Sequence, residues 1–176
     1  MAITRLGGAN AISGSITSSN LPSGSVLQTI QSTNSYYHRI QSSSYTYLLS
    51  ASGTNYETAI TPSSISNKIL VTTCLMLRSG RLAAEARFSI KQLSSIGGAS
   101  VQDLFFAPGS KATLGHYDYG TSGSIPNQII AYNYLWSPNT TSECKVLFQG
   151  ALNDGSGFLD FNNNSMSTVT LTEIKG

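Results

Sequence analysis

One short loop holds the side chains best suited to chemistry in this sequence. His116 and Asp118 are two residues apart within the glycine-bounded segment 115–120, and Tyr117 and Tyr119 alternate with them. A histidine beside a carboxylate is the usual couple for proton transfer near neutral pH. However, residues two apart on a loop need not face each other, and no nearby Gly-x-Ser-x-Gly motif supplies a nucleophile. We therefore assign no catalytic residues and do not expect an enzyme.

The same loop is a better candidate for recognition than for catalysis. The rings of Tyr117 and Tyr119 offer flat amphipathic faces, which suit sugar rings and protein surfaces alike. We expect His116, Tyr117, Asp118 and Tyr119 to form either a receptor-binding loop or a subunit-interface loop. The residue types are compatible with both of these roles.

No other group of residues predicts a catalytic or metal site. The eight acidic residues are spread along the chain, so the paired carboxylates of a glycoside hydrolase cannot be placed. Segment 153–160 is rich in oxygen ligands but lacks the order of a calcium loop, and an Asp-Gly hairpin turn explains it. Cys74 and Cys144 lie in apolar runs and are expected to be buried free thiols, although a disulfide between them stays open. No metal and no cofactor are expected.

Composition narrows the classes of partner. The chain has 176 residues, of which 10% are charged, with a formal net charge of +2, whereas Ser, Thr and Asn make up about a third. The ten Lys and Arg residues are scattered, so nucleic acid is not expected as a partner. No apolar run is long enough to span a bilayer, and the N-terminus has no apolar signal core. We expect the protein to be made in a cytoplasm and not to insert into a membrane.

Two apolar segments between residues 128 and 149 give the clearest strand predictions in the sequence. Gln128–Trp136 is aromatic and β-branched, which predicts a strand buried on both faces. Segment 144–149 alternates, which predicts a strand with one face in water. Its expected inner residues are Cys144, Val146 and Phe148, and its expected outer residues are Lys145 and Gln149. Pro138 and Asn139 favour a turn, so the two strands are predicted to form a hairpin.

Further strand patterns extend over most of the chain. They cover residues 26–31, 45–49, 57–61, 68–77, 87–93, 101–107, 158–161 and 167–174. Regular turn signals and almost no helical periodicity predict an all-β fold, an antiparallel β-sandwich that is most simply a jelly roll. We expect it to occupy residues 26–176 after an extended N-terminal attachment arm, residues 1–25. The arm carries isolated aliphatic residues that we expect to lie against another surface, namely Ile3, Leu6, Ile12, Ile16 and Leu21.

Three motifs carry a resemblance to a known class of protein. Residues 20–28, Asn-Leu-Pro-Ser-Gly-Ser-Val-Leu-Gln, resemble the start of many short bacteriophage tail-fibre and virion proteins, including those of phages of cyanobacteria and marine bacteria. Residues 134–142 are similar as well, and residues 167–174 resemble that family's Ser-x-Ile-Thr-Leu-x-Glu-Ile ending, with Val169 in place of Ile. The resemblance covers about half the chain and brings no catalytic motif.

The resemblance implies a short homotrimeric tail fibre in the virion, attached by its arm. Its partners would be two further copies of itself, another phage structural protein of the baseplate, tail or capsid, and a glycan on the host surface. A trimeric capsid decoration or cement protein is the alternative from the same architecture. A glycan-processing enzyme is a minor alternative.

Overall fold

The chain folds almost entirely into β-strands. The structure, a computed structural model, describes residues 18–44, 46–79, 86–94, 101–103, 128–152 and 157–176. After a 3-10 turn at Ser18–Asn20, the described strands are β1 (Val26–Asn34), β2 (His38–Ile40), β3 (Thr46–Tyr47), β4 (Glu57–Ile60), β5 (Lys68–Ser79), β6 (Ala86–Ser94), β7 (Val101–Asp103), β8 (Gln128–Trp136), β9 (Cys144–Leu152), β10 (Leu159–Phe161) and β11 (Ser167–Ile174). No helix in this described part is long and apolar enough to cross a membrane.

The strands form two antiparallel sheets. In the first sheet, β8 pairs with one edge of β5, while β11 and β10 pair with successive parts of the other edge. β1 then pairs with β11 and β2 with β10, so this sheet is four strands wide. In the second sheet, β9 lies between β6 on one edge and β3 and β4 on the other, and β7 pairs with β6.

The order of pairing identifies the architecture. β1 pairs with β11, β4 with β9, β5 with β8, and β6 with β7, so the pairs are nested from the ends of the chain inward. Successive pairs lie alternately in the first and second sheet. A long antiparallel ribbon rolled into two facing sheets in this way is a jelly roll. The predicted fold class is therefore confirmed.

The hydrophobic core lies between the sheets. β11 alternates along its length, so Val169 and Leu171 are buried against the second sheet while the threonines between them face outward. Phe148 of β9 enters the core from the opposite side and stacks on Tyr56, with ring centroids 6.1 Å apart. At Gly150 a side chain would come within 2.9 Å of Ile40, so the sheets approach closely there.

The predicted hairpin of Gln128–Trp136 with residues 144–149 is wrong. β8 pairs along its length with β5 in the first sheet, whereas β9 is a central strand of the second. The loop of residues 137–143 crosses from one sheet to the other, with Asn139 at a φ of 53°. A loop of this length and composition suits a crossover as well as a hairpin, and only the strand partners distinguish them.

The predicted burial of these two strands is partly wrong. β8 has only β5 as a partner among the described strands, and Ile129 and Leu135 are 63% and 49% exposed, so β8 is not buried on both faces. In β9 the residues predicted to face inward are buried, as expected. Gln149, however, is buried rather than in water, and so is its neighbour Leu147 on the same face.

Two smaller predictions need correction as well. Residues 153–156 lie outside the described part, but β9 and β10 belong to different sheets, so the Asp-Gly segment between them does not close a hairpin. Both cysteines are free; Cys144 is buried as predicted, whereas Cys74 is only half-buried. The strands predicted at 26–31, 57–61, 68–77 and 167–174 are confirmed.

Candidate interaction surface

Most residues singled out from the sequence as site residues lie outside the described part of the structure. These are Ile3, Leu6, Ile12 and Ile16 of the arm and His116, Tyr117, Asp118 and Tyr119 of the loop. Leu21 is described and is half-buried. No group of three or more metal-ligating side chains occurs within the described ranges.

The last part of the arm is fastened to the end of β11. The backbone N–H of Gly24 donates to the carbonyl of Lys175 at 2.8 Å, and the N–H of Lys175 donates to the carbonyl of Ser25 at 2.8 Å. The Lys175 ammonium also donates to the carbonyls of Ser19 and Leu21. This Lys175 clamp fixes the point at which the arm meets the sandwich, beside a cleft of about 250 Å³ whose lining includes several serines.

The largest candidate surface is the outer face of the first sheet. The strand registers place twelve side chains there in three rows across β1, β11, β5 and β8. The rows are Thr29, Thr172, Leu70 and Leu135; then Gln31, Thr170, Thr72 and Asn133; then Thr33, Thr168, Cys74 and Ala131. All twelve are exposed or half-buried, and none is charged. We call this set the neutral face.

Hydrogen bonds across the strands hold part of the neutral face in place. The Gln31 amide donates to the Thr170 hydroxyl at 3.1 Å, and the hydroxyls of Thr29 and Thr172 are 3.4 Å apart. Such cross-strand threonine pairs stabilise a sheet, and β-branched side chains pack well on its pleated surface. The face is therefore partly ordered within the subunit, with hydroxyl, amide and aliphatic groups directed outward.

Aliphatic residues lie at both ends of the neutral face. At one end Val26 pairs with Ile174, and the exposed Lys68 is the next register partner in that row. At the other end Met76 pairs with Ile129. Val26 and Ile129 are 60% and 63% exposed. Exposed apolar side chains at the margins of a neutral surface are typical of a contact site for another protein.

A charged row closes the far end of this sheet. Arg39, Asp160 and Arg78 are register partners across β2, β10 and β5. The Arg39 guanidinium donates to the two oxygens of the buried Asp160 carboxylate at 2.7 and 2.9 Å, and the Tyr37 hydroxyl donates to it at 2.9 Å. Arg39 also stacks 3.9 Å from the ring centroid of Phe158.

Within this row the charges of Arg39 and Asp160 compensate each other. The hydrogen bond to Asp160 raises the pKa of the Arg39 guanidinium above its usual range. Burial, followed by the hydrogen bond to Asp160, raises the pKa of Tyr37. The guanidinium is therefore charged and the phenol protonated at neutral pH. With two arginines and one aspartate, the row forms a charged boundary at this end of the neutral face.

The outer face of the second sheet is different. Lys145 of β9 donates to Glu57 of β4 at 2.6 Å and lies 3.9 Å from Glu143. The hydrogen bond to Glu57 is the main reason that the pKa of Lys145 is raised. On the same side of β9, Leu147 and Gln149 are buried. This face is covered over its middle, so it offers less free surface than the first sheet.

Sequence analysis found only part of the neutral face. The alternation along residues 167–174 places Thr168, Thr170 and Thr172 on one face of the last strand, and the structure shows that this face is the outer one. The rows themselves were missed, because they join β1, β5, β8 and β11 through registers that no local pattern encodes.

Comparisons with known proteins support the fold and give no family. No protein-family model matches the chain, and no curated protein matches it. A chain in a structure of infectious bursal disease virus, Gx strain, is similar, with a TM-score of 0.50 and 13% identity over 88% of this chain. Another similar structure is the D431N mutant VP2 protein of infectious bursal disease virus in derived T=1 particles, with a TM-score of 0.44 and 12% identity over 86% of this chain.

The likeness extends to part of those proteins. This chain spans 33% of the first viral chain and 37% of the second. At 13% identity, the first match shows that the two chains share a jelly-roll fold. Function has to be argued from the surface and from the sequence motifs.

Proposed function

We propose that this chain is a structural protein of a virus particle, with a role that is physical rather than catalytic. The main support is the nested jelly roll, a fold shared with a chain in the structure of a virus. The exposed neutral face of this jelly roll adds to that support. The motifs at residues 20–28 and 167–174, which resemble phage virion proteins, support the same class. In such a protein the sandwich supplies shape and contact area, and the arm supplies attachment.

Within that class we propose a short homotrimeric tail fibre. Residues 1–25 would dock onto another particle protein, and residues 26–176 would form the knob that contacts the host. The Lys175 clamp supports this division, because it fixes residues 18–25 to the end of β11 and so transmits a pull on the arm to a strand of the first sheet. The loop at His116–Tyr119 would be a receptor or interface loop in this arrangement.

A capsid decoration or cement protein is the second candidate. One observation favours it: a solved structure that shares the fold is that of a virus. In this case the arm would grip neighbouring capsid subunits instead of a tail component. The subunit contacts would be of the same kind in both candidates, whereas the position in the particle would differ.

The test is to locate the protein in purified virus particles. Antibody fragments against residues 26–176 would be imaged on the particle by electron microscopy. Binding at the tail supports the fibre, and binding distributed over the capsid supports the cement protein. If the protein is absent from the purified particles, the proposal is wrong.

A matched pair of variants tests the role of the arm. Deletion of residues 1–17 keeps the Lys175 clamp, so we expect a folded protein that no longer assembles onto particles. The control is Ser52→Ala in the exposed turn before β4, which should be incorporated normally. Incorporation of the deletion variant at the level of the control would contradict an attachment role for the arm.

A further inference from the structure

We propose that the neutral face is the surface through which copies of this chain contact one another. The inference deepens the proposed function and rests on it for the expectation that the subunit assembles. The occupant is a second copy of the same chain. The chemistry of the face, its size and its position all support this choice.

The absence of charge on the neutral face favours contact with further copies of the chain. Burying an ion pair costs desolvation free energy, and bringing equal charges together costs more. Neutral faces that meet around the axis of the trimer incur neither cost. Their threonine hydroxyls and the amides of Gln31 and Asn133 are both donors and acceptors, so each copy offers partners for the polar groups of the other.

The size of the face is suited to a subunit contact. With strands ~4.8 Å apart and rows ~6.8 Å apart, its twelve positions cover roughly 400 Å², and Val26, Ile174, Met76 and Ile129 extend this to roughly 500 Å². A stable interface buries about 800 Å² per partner. The face thus supplies over half of the required area, and exposed neighbours such as Met166 can supply more.

Other occupants fit the neutral face less well. Nucleic acid needs clustered cations, and none of the twelve residues is basic. A sugar ring is usually held by an aromatic face, and none of the twelve is aromatic. The second sheet is not an equivalent alternative, because Leu147 and Gln149 are already buried on its outer side.

Two charge insertions test the contact directly. Thr72 and Asn133 are exposed neighbours in the middle row, on β5 and β8. We expect Thr72→Glu, and separately Asn133→Glu, to weaken self-association at least about tenfold, because each buries an unpaired charge at the contact. Thr141→Glu, in the exposed crossover loop, is the control and should associate like the wild type. Light scattering measures the association, and circular dichroism checks that each variant is folded.

Cys74 provides a second, independent measurement. It lies in the third row of the neutral face, whereas Cys144 is buried in the core, where burial raises its pKa to about 11. A maleimide should therefore report on Cys74 alone, with Cys74→Ser as the blank. We expect labelling of the assembled wild type to be at least about tenfold slower than labelling of Thr72→Glu, since thiols covered by a partner react slowly.

The outcomes separate this inference from the proposed function. A wild-type monomer, or an oligomer in which Cys74 reacts as fast as in Thr72→Glu, overturns the inference even if the protein is found in particles. Protection of Cys74 only when particles are added also overturns it, because the occupant is then another protein. Self-association through the neutral face by a protein absent from particles would support the inference and defeat the proposed function.

Discussion

The two sheets of this sandwich differ in what covers their outer sides. On the first sheet, the twelve neutral side chains are exposed or half-buried, and charge is confined to Lys68 and the row of Arg39, Asp160 and Arg78 at its ends. On the second sheet, Leu147 and Gln149 are buried, and an ion pair joins Lys145 to Glu57. The chain thus covers the middle of one sheet by itself and leaves the other open.

This difference shows how one fold can be stable as a single subunit and still offer a surface for assembly. Burial of the middle of the second sheet's outer side adds to the stability of the single subunit. A sheet left open has to remain soluble until a partner arrives, and threonine serves that purpose because its hydroxyl is hydrated while its methyl group can be buried later. The predictions below test this contrast, beginning with the largest expected effect.

The most direct test compares one leucine from each outer side. Leu147 is fully buried on the second sheet, whereas Leu135 is 49% exposed on the first. We expect Leu147→Ala to lower the free energy of unfolding of the monomer by about 3 kcal/mol, and Leu135→Ala by less than about 1 kcal/mol. Urea denaturation of dilute protein measures both. Equal losses would mean that the two sides are not covered differently.

The charged row at the end of the first sheet should be the next most sensitive feature. Asp160 is 1% exposed and accepts hydrogen bonds from Arg39 and Tyr37, so Asp160→Asn removes one charge from a packed pair. Because Arg39 is partly exposed, water can compensate in part, and we expect a loss of about 2 kcal/mol rather than the larger loss typical of a fully buried pair. Thermal unfolding measures it. Thr141→Ala, in the exposed crossover loop, serves as the unaffected control, and a loss as small as that control's would show that the row does not stabilise the fold.

The carboxylate on the inner side of β11 predicts a dependence on pH. Glu173 is buried and accepts hydrogen bonds from Gln28 at 2.7 Å, Asn67 at 2.6 Å, and both the backbone N–H and the hydroxyl of Ser63. Burial alone would raise the pKa of Glu173, but the hydrogen bonds from Asn67, Ser63 and Gln28 outweigh it, and the pKa lies below its ordinary value of 4.5. The charged form therefore stabilises the fold.

The sign of the effect follows from that lowered pKa. The stabilisation by Glu173 should be fully present above about pH 4.5 and should be lost as the pH falls through the pKa of the folded state. We expect Glu173→Gln to cost about 1.5 kcal/mol at neutral pH and progressively less below about pH 4. Denaturation of both proteins across this range measures it. A constant difference between them would refute the assignment.

Local sequence patterns were sufficient for much of the fold. Alternation along residues 167–174 separates Val169 and Leu171 from the threonines on opposite faces, as the structure has them, and the continuous apolar run at 68–77 predicted the strand that becomes β5. These predictions succeed because the period of a strand is a local property of the chain. The same reasoning placed Cys144, Val146 and Phe148 in the core.

Long-range pairing was what the sequence did not reveal. β8 pairs with β5 across more than fifty residues of chain, and Arg39 meets Asp160 across 121. The crossover at residues 137–143 has the composition of a hairpin loop, so the partner of β8 was assigned wrongly, and with it the expectation that this strand is buried on both faces. Because the neutral face is created by these pairings, it was invisible until the registers were known.

The smallest expected effect is the response of self-association to salt. This response distinguishes the uncharged outer side of the first sheet from the ion pair on the second. Contact through a face without charges should change its dissociation constant by less than about twofold between roughly 0.05 and 0.5 M NaCl, because there is little to screen. Sulfate should tighten it, since that ion favours burial of surface. The pair of Lys145 and Glu57 is the internal contrast: its contribution to the free energy of unfolding, about 0.5 kcal/mol, should shrink over the same range of salt. A dissociation constant that rises steeply with NaCl would instead assign the contact to a charged surface, such as the row of Arg39, Asp160 and Arg78.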